Sequence, residues 1–185
     1  MHQIRVHGRG GQGVVTASEL IAMAAFYEGK QAQAFPHFGV ERSGAPIRAY
    51  ARISDYPILT RERVYSPTIL LIQDHSLITE DPEITAGINK DTFIIINAPH
   101  DYKLEKKLIS KKIYYSPATE IALQIFKKNI VNTVILGSLA RHTGLISLKS
   151  LKKAIREKFK DKDAEIIRKN IKAITLAYKN NYEKK

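Results

Sequence analysis

A short apolar strand, Ile4 to Val6, runs directly into His7-Gly8-Arg9-Gly10-Gly11-Gln12-Gly13 and then into a helical pattern that starts at Val14. Gly8, Gly10 and Gly13 satisfy G-x-G-x-x-G, and Gly11 adds a fourth glycine. Glycine at a strand-to-helix turn permits positive φ and lets another group come close to the backbone. The first N–H groups of the helix lack intrahelical partners, and the dipole there favours an anion. A phosphate or carboxylate is therefore one candidate occupant of the turn. The other reading is a tight turn in which glycine serves packing alone, and the motif by itself does not separate the two.

Periodicity organises the rest. A helix is expected from about Gly11 to Tyr27, with Val14, Ala17, Ile21, Ala24 and Ala25 on one face and Gly29 as its stop. Lys30–Phe35 reads as a second strand completing a β-α-β unit, whose ligands collect at the carboxyl ends of the strands. Phe35 to Pro46 holds two prolines and two glycines and reads as an ordered loop. Ile47–Ile53 alternates apolar with Arg48, Tyr50 and Arg52, the pattern of a half-buried, partly antiparallel strand with a basic outer face. The unbroken runs Thr68–Gln73 and Thr92–Asn97 suit central parallel strands covered on both sides, and Lys112–Tyr115 is a further short strand. Helices follow, with Ser116-Pro117, Asn132 and Ser147 as candidate start signals and Gly144 as a stop. The expected fold is one Rossmann-like α/β domain over residues 1–185. Its sheet is mixed and mostly parallel, flanked by helices, with a helical C-terminal part.

Composition removes several chemistries. No apolar run approaches the roughly 18–20 residues of a membrane helix, and the amino terminus reads as a strand rather than a leader, so a cytoplasmic location is expected. The 185 residues include no cysteine, which excludes a thiol nucleophile and cysteine-ligated iron–sulfur clusters on this chain. The net charge of +12 is uneven: residues 1–100 carry 9 Lys+Arg against 10 Asp+Glu, and residues 101–185 carry 21 against 8. The basic half either meets nucleic acid, an acidic protein or a phosphorylated ligand, or is a solvated Lys-rich helical surface.

A dinucleotide binder places an acid at the end of its second strand; here that strand ends Ala34-Phe35-Pro36, and the lysine of a nucleoside-triphosphate loop is also missing. Asp74-His75-Ser76 holds three catalytic residue types, but triad members converge from separate segments, so a strand end leading into a short helix is the better reading. The six histidines show no metal-ligand spacing. No catalytic residue and no metal site is expected on this chain.

Gly8–Gly13, the helix Val14–Ala25 and above all Gln33–Ser54 (QAFPHFGVERSGAPIRAYARIS) resemble the gamma subunit of 2-oxoacid:ferredoxin oxidoreductases of the pyruvate or 2-ketoisovalerate type. The resemblance covers nearly the whole chain. It implies a multi-subunit enzyme that oxidatively decarboxylates a 2-oxoacid, captures the acyl group on coenzyme A and reduces ferredoxin. Thiamine diphosphate, magnesium and the iron–sulfur clusters would lie on the alpha, beta and delta partners, leaving this chain inactive alone. It also implies a part in handling coenzyme A. The phosphates would then meet Gly8, Arg9, Gly10, Gly11, Gln12 and Gly13, with Gln12 bonding the ligand or bracing the turn. Phe35, Pro36, Phe38, Gly39, Glu41 and Arg42 would line a subunit seam or the active centre. Two rivals stand beside this reading: a free-standing CoA- or nucleotide-binding protein, and a basic nucleic-acid-binding protein. The basic half offers no aromatic-interleaved strand platform or helix-turn-helix reader for the latter.

Overall fold

The computed structural model describes residues 1–37, 44–99, 101–104 and 108–179, and the backbone of 182–183. Strand β1 (His2–Arg9) leads through the glycine turn into α1 (Val14–Phe26) and then β2 (Gln31–Pro36). After β3 (Pro46–Ser54) and β4 (Ile69–Ile72) come the short α2 (Leu77–Glu80) and a 3₁₀ turn, Pro82–Thr85. Strands β5 (Phe93–Asn97) and β6 (Lys112–Ser116) precede α3 (Ala118–Phe126), α4 (Val134–Thr143), α5 (Leu148–Lys158) and α6 (Ala164–Lys179), and β7 (Tyr182–Glu183) closes the order.

All seven strands form one sheet in the order β2-β3-β1-β4-β5-β6-β7. β3 is antiparallel to both β2 and β1, while β1, β4, β5 and β6 pair in parallel. Strands β1, β2, β4, β5 and β6 thus share one direction, and the expected mixed, mostly parallel α/β sheet is present. The β1–α1–β2 crossover departs from expectation in one respect: its two parallel strands are not neighbours, because β3 hydrogen-bonds between them. Residues 33–36 are placed opposite 49–52, so the hairpin-like return from β2 competes successfully for the edge of β1.

Alternation sends Ile4, Val6, Ala49, Ala51, Ile53, Ile69 and Leu71 to the face covered by the helices. Each fully buried isoleucine or leucine there contributes about 1.5–3 kcal/mol of transfer free energy. Leu70, Ile72, Ile94 and Ile96 face the other way, into a second cluster closed by Leu77, Ile78, Ile84 and Tyr115. That two-sided burial is why the central strands read as continuous apolar runs.

The face of β3 expected to be basic and solvated is instead covered. Tyr50 and Arg52 are 3% and 1% exposed. Residues 55–67, a stretch without regular structure, cross over them. The crossing is held by main-chain carbonyls: Arg52 donates to the oxygens of Glu62 and Arg63, and Arg5 on β1 donates to those of Val64, Tyr65, Ile84 and Ala86. Burying a guanidinium is costly unless its donors find partners, and this irregular backbone supplies them.

The helical end differs in detail from the sequence signals. Thr133 rather than Asn132 occupies the cap position of α4, and its hydroxyl donates to Asn170 of α6 at 2.6 Å. Ser116 is the last residue of β6 and accepts from the Ser138 hydroxyl at 2.8 Å instead of capping α3. Ser147 does cap α5, accepting from the Ser150 N–H. Helices α4 and α6 approach closely at Gly137, where a Cβ would sit 2.2 Å from the carbonyl oxygen of Ile174.

Candidate functional site

The glycine turn lies at the carboxyl end of β1, where the chain has left in one direction to β2 and β3 and continues in the other to β4. Such a switch in strand order opens a crevice at the strand ends. Gly11 and Gly13 take positive φ, +91° and +68°, and Gly13 holds the left-handed conformation at the cap of α1 with no side-chain cap. At Gly13 a Cβ would sit 2.3 Å from the Asn132 side-chain nitrogen; at Gly11 it would meet nothing within 4 Å. Gly13 is therefore required by conformation and by contact, and Gly11 by conformation beside open space.

Several of the donors expected to receive phosphate are engaged within the chain. The Gly10 N–H bonds the Ala45 carbonyl at 2.9 Å, and the Gln12 N–H bonds that of Arg9 at 2.9 Å. Gln12 braces the turn, its side-chain oxygen accepting the Arg9 N–H at 2.8 Å. The Arg9 guanidinium reaches Asp74 at 2.8 Å, Ser76 at 2.6 Å and Glu80 at 2.7 Å. Burial alone would raise the Asp74 carboxyl, but the Ser76 hydroxyl and Arg9 outweigh it and hold Asp74 below the ordinary carboxylate range. Asp74 and Ser76 thus serve to fix Arg9 across the crevice, and His75 turns away, its Nδ1 3.1 Å from the Asn97 carbonyl oxygen.

What remains open is the first turn of α1. Among the described residues no acceptor faces the N–H groups of Val14, Val15 and Thr16. Two side chains that sequence reasoning did not select stand beside them. Asn132 packs on Gly13 with its buried Oδ1 unpartnered, and Gln73, 1% exposed, packs on Gly8 with both amide atoms unpartnered. A signal existed for Gln73: the apolar runs of β4 and β5 each end in an amide residue, Gln73 and Asn97, at the carboxyl edge where ligands gather. Asn97 in turn donates to the Gln73 carbonyl at 2.9 Å and accepts from the Thr119 N–H at 3.1 Å.

Of the loop residues selected from sequence, Phe35 and Pro36 end β2 and line a cavity of about 560 Å³. Phe35 lies 5.2 Å from the Tyr50 ring. Phe38, Gly39, Glu41 and Arg42 lie outside the described residues. Among the described residues no group of three His, Asp or Glu side chains is arranged to hold a metal ion.

Comparison with known proteins gives one answer. Residues 3–180 match the pyruvate ferredoxin/flavodoxin oxidoreductase family. The chain is 45% identical over 184 residues to pyruvate synthase subunit PorC of Methanocaldococcus jannaschii, covering 100% of this chain and 99% of that one. It is 44% identical over 181 residues to the pyruvate/ketoisovalerate oxidoreductases common subunit gamma of Pyrococcus abyssi, covering 96% of each. The crystal structure of pyruvate oxidoreductase subunit PORC from Thermotoga maritima superposes with a TM-score of 0.81 at 36% identity, covering 96% of this chain and 94% of that one. With a single α/β sheet, a glycine turn at its strand switch and no cysteine for a cluster of its own, the chain belongs to the 2-oxoacid:ferredoxin oxidoreductase family as a gamma subunit of the pyruvate type.

Proposed function

We propose that this subunit positions coenzyme A for acyl transfer within the assembled oxidoreductase, with the first turn of α1 receiving the phosphates. The observation that carries this is the pairing of free N–H groups at Val14–Thr16 with the unpartnered Asn132 Oδ1 at the strand switch. Backbone donors at a helix N-terminus suit a diphosphate, and an amide oxygen suits an N–H or hydroxyl of the same ligand. Gly8, Gly10, Gly11, Gln12 and Gly13 shape the turn, and Arg9 works through Asp74 and Glu80 as a brace rather than as a phosphate ligand. The thiamine diphosphate, magnesium and iron–sulfur chemistry belongs to alpha, beta and delta partners, which pass electrons to ferredoxin, and the chain alone is inactive. A cytoplasmic setting fits these soluble partners, and no helix among the described residues is long and apolar enough to cross a membrane.

The test is steady-state kinetics on the assembled complex carrying Asn132→Leu. Loss of one hydrogen bond predicts a KM for coenzyme A raised about 3- to 10-fold with the KM for the 2-oxoacid unchanged. An unaltered KM for coenzyme A would refute the assignment.

A further inference from the structure

Away from the glycine turn, on the sheet face opposite α1 and α3–α6, residues 55–67 form thirteen residues of ordered chain with no helix or strand. A stretch of that length without regular structure is uncommon in a compact domain and usually functional. Its outward side chains include Tyr56, Leu59 and Tyr65, which are 77%, 92% and 67% exposed. The stretch also walls the 560 Å³ cavity. Phe35, Pro36 and Tyr50 supply the apolar floor, and His37, Arg61 and Arg63 stand around it with no carboxylate among the described lining residues. Among the described residues neither Arg61 nor Arg63 makes an ion pair. Two buried polar atoms nearby also lack partners, Gln33 Oε1 and Arg52 Nη1. These residues face one another across β2 and β3, and Arg52 lies 5.1 Å from the Phe35 ring centre.

The choice of cation separates this surface from the rest of the molecule. The cations lining this cavity, Arg61 and Arg63, are arginine, whereas 18 of the 21 basic residues in 101–185 are lysine. Exposed lysine on amphipathic α5 and α6 is what a solvated face uses, while arginine with tyrosine is enriched where proteins meet. A small ligand would account for the cavity but not for Leu59 and Tyr56 standing in solvent beside it. A second copy meeting it face to face would bring its own Arg61 and Arg63 against these same cations.

We infer that the 55–67 stretch and the cavity beneath it dock a partner subunit of the oxidoreductase, through a segment that places an apolar side chain over Phe35 and Tyr50 and carboxylates against Arg61 and Arg63. This rests on the chain's place in a multi-subunit enzyme but is independent of the coenzyme A assignment. Carboxylate–guanidinium pairs fix the register of such a contact, and the apolar anchor supplies most of its burial.

The test compares the purified complex with the free chain by carbene footprinting, together with co-expression of the partners with R61E/R63E and, separately, with Leu59→Asp. These side chains are exposed, so both variants keep the wild-type Tm as free chains. Expected results are loss of labelling at Tyr56, Leu59 and Tyr65 in the complex, and partner recovery reduced at least about tenfold in each variant. Equal labelling in complex and free chain overturns the inference, as does undiminished recovery. Protection of the free chain by coenzyme A or by pyruvate alone would make the cavity a ligand site, and protection that rises with free-chain concentration would make it a self-contact; either overturns it. Failure of the wild-type chain to assemble with any partner would instead refute the subunit reading on which it rests.

Discussion

Gly11 and Gly13 sit two residues apart and both take positive φ, yet their surroundings make them unequal. Alanine at Gly11 meets only the cost of the left-handed conformation, about 1–2 kcal/mol. Alanine at Gly13 meets that cost and also displaces Asn132, for a total of about 2–4 kcal/mol. Urea unfolding of the two variants should show this order, and equal losses would mean that Asn132 yields freely. Gln12 and Arg9 illustrate what a motif hides. Their residue types suggested ligand contacts, but the local geometry gives each an internal partner, and only three-dimensional placement reveals that Asn132, more than a hundred residues away in sequence, completes the turn.

At the level of elements, arginine on β1 and β3 replaces the apolar packing that normally covers a sheet. Arg5 donates to the carbonyls of Ile84 and Ala86 at 2.9 and 2.7 Å. Arg5→Met should therefore cost about 2–4 kcal/mol, because it strands buried carbonyls. Hydrogen exchange should show residues 55–67 and 82–86 losing protection before the central strands; uniform loss would contradict this. Helices α4 and α6 depend on a different device. Gly137→Ala forces a Cβ into the Ile174 carbonyl and should lower stability by about 1–3 kcal/mol while leaving the glycine turn intact. The later strand positions were legible because their patterns are strong: β4, β5 and β6 stand within one residue of expectation at each end. The strand order was not legible. β3 lies between β1 and β2 through backbone pairing that leaves no mark in side-chain pattern, and the covering of Tyr50 and Arg52 comes from a stretch with no periodicity at all.

For the whole molecule, a buried histidine makes stability depend on pH. His7 is 1% exposed, and burial, with the Arg5 and Arg48 cations beside it, holds its pKa well below the ordinary value. Its Nε2 accepts from Arg5 at 2.9 Å, so the ring is neutral and its 3.8 Å approach to Asp81 is not an ion pair. A neutral histidine in the folded state means that the unfolded chain alone takes up the proton. The contribution is complete above about pH 6.5 and declines as pH falls, with a slope of up to about 1.4 kcal/mol per pH unit. His2 and His37 are lowered as well, each chiefly by burial, and act in the same sense. Asp74, held low, adds its own loss only in the carboxylate range, as pH falls through its folded value. His7→Gln should reduce, but not abolish, the fall in unfolding free energy between pH 6.5 and 5; an unchanged slope would place the effect elsewhere. The family was legible in three short stretches, Gly8–Gly13, Val14–Ala25 and above all Gln33–Ser54, whereas the site's distant partners were not, since Gln73 and Asn132 carry no motif and acquire meaning only from the crevice they face.

Arg5 and Arg52 grip the stretch above them through its carbonyl oxygens, which every amino acid possesses, and its inward anchors are the buried Val64 and Pro67. Its outward side chains are consequently free of any duty to the fold. Mutation can rewrite Tyr56, Leu59, Arg61 and Arg63 without a stability cost to the domain beneath, so the scaffold can evolve slowly while the surface it presents diverges quickly. A subunit built in this way can be refitted to a new enzyme by changing a handful of codons.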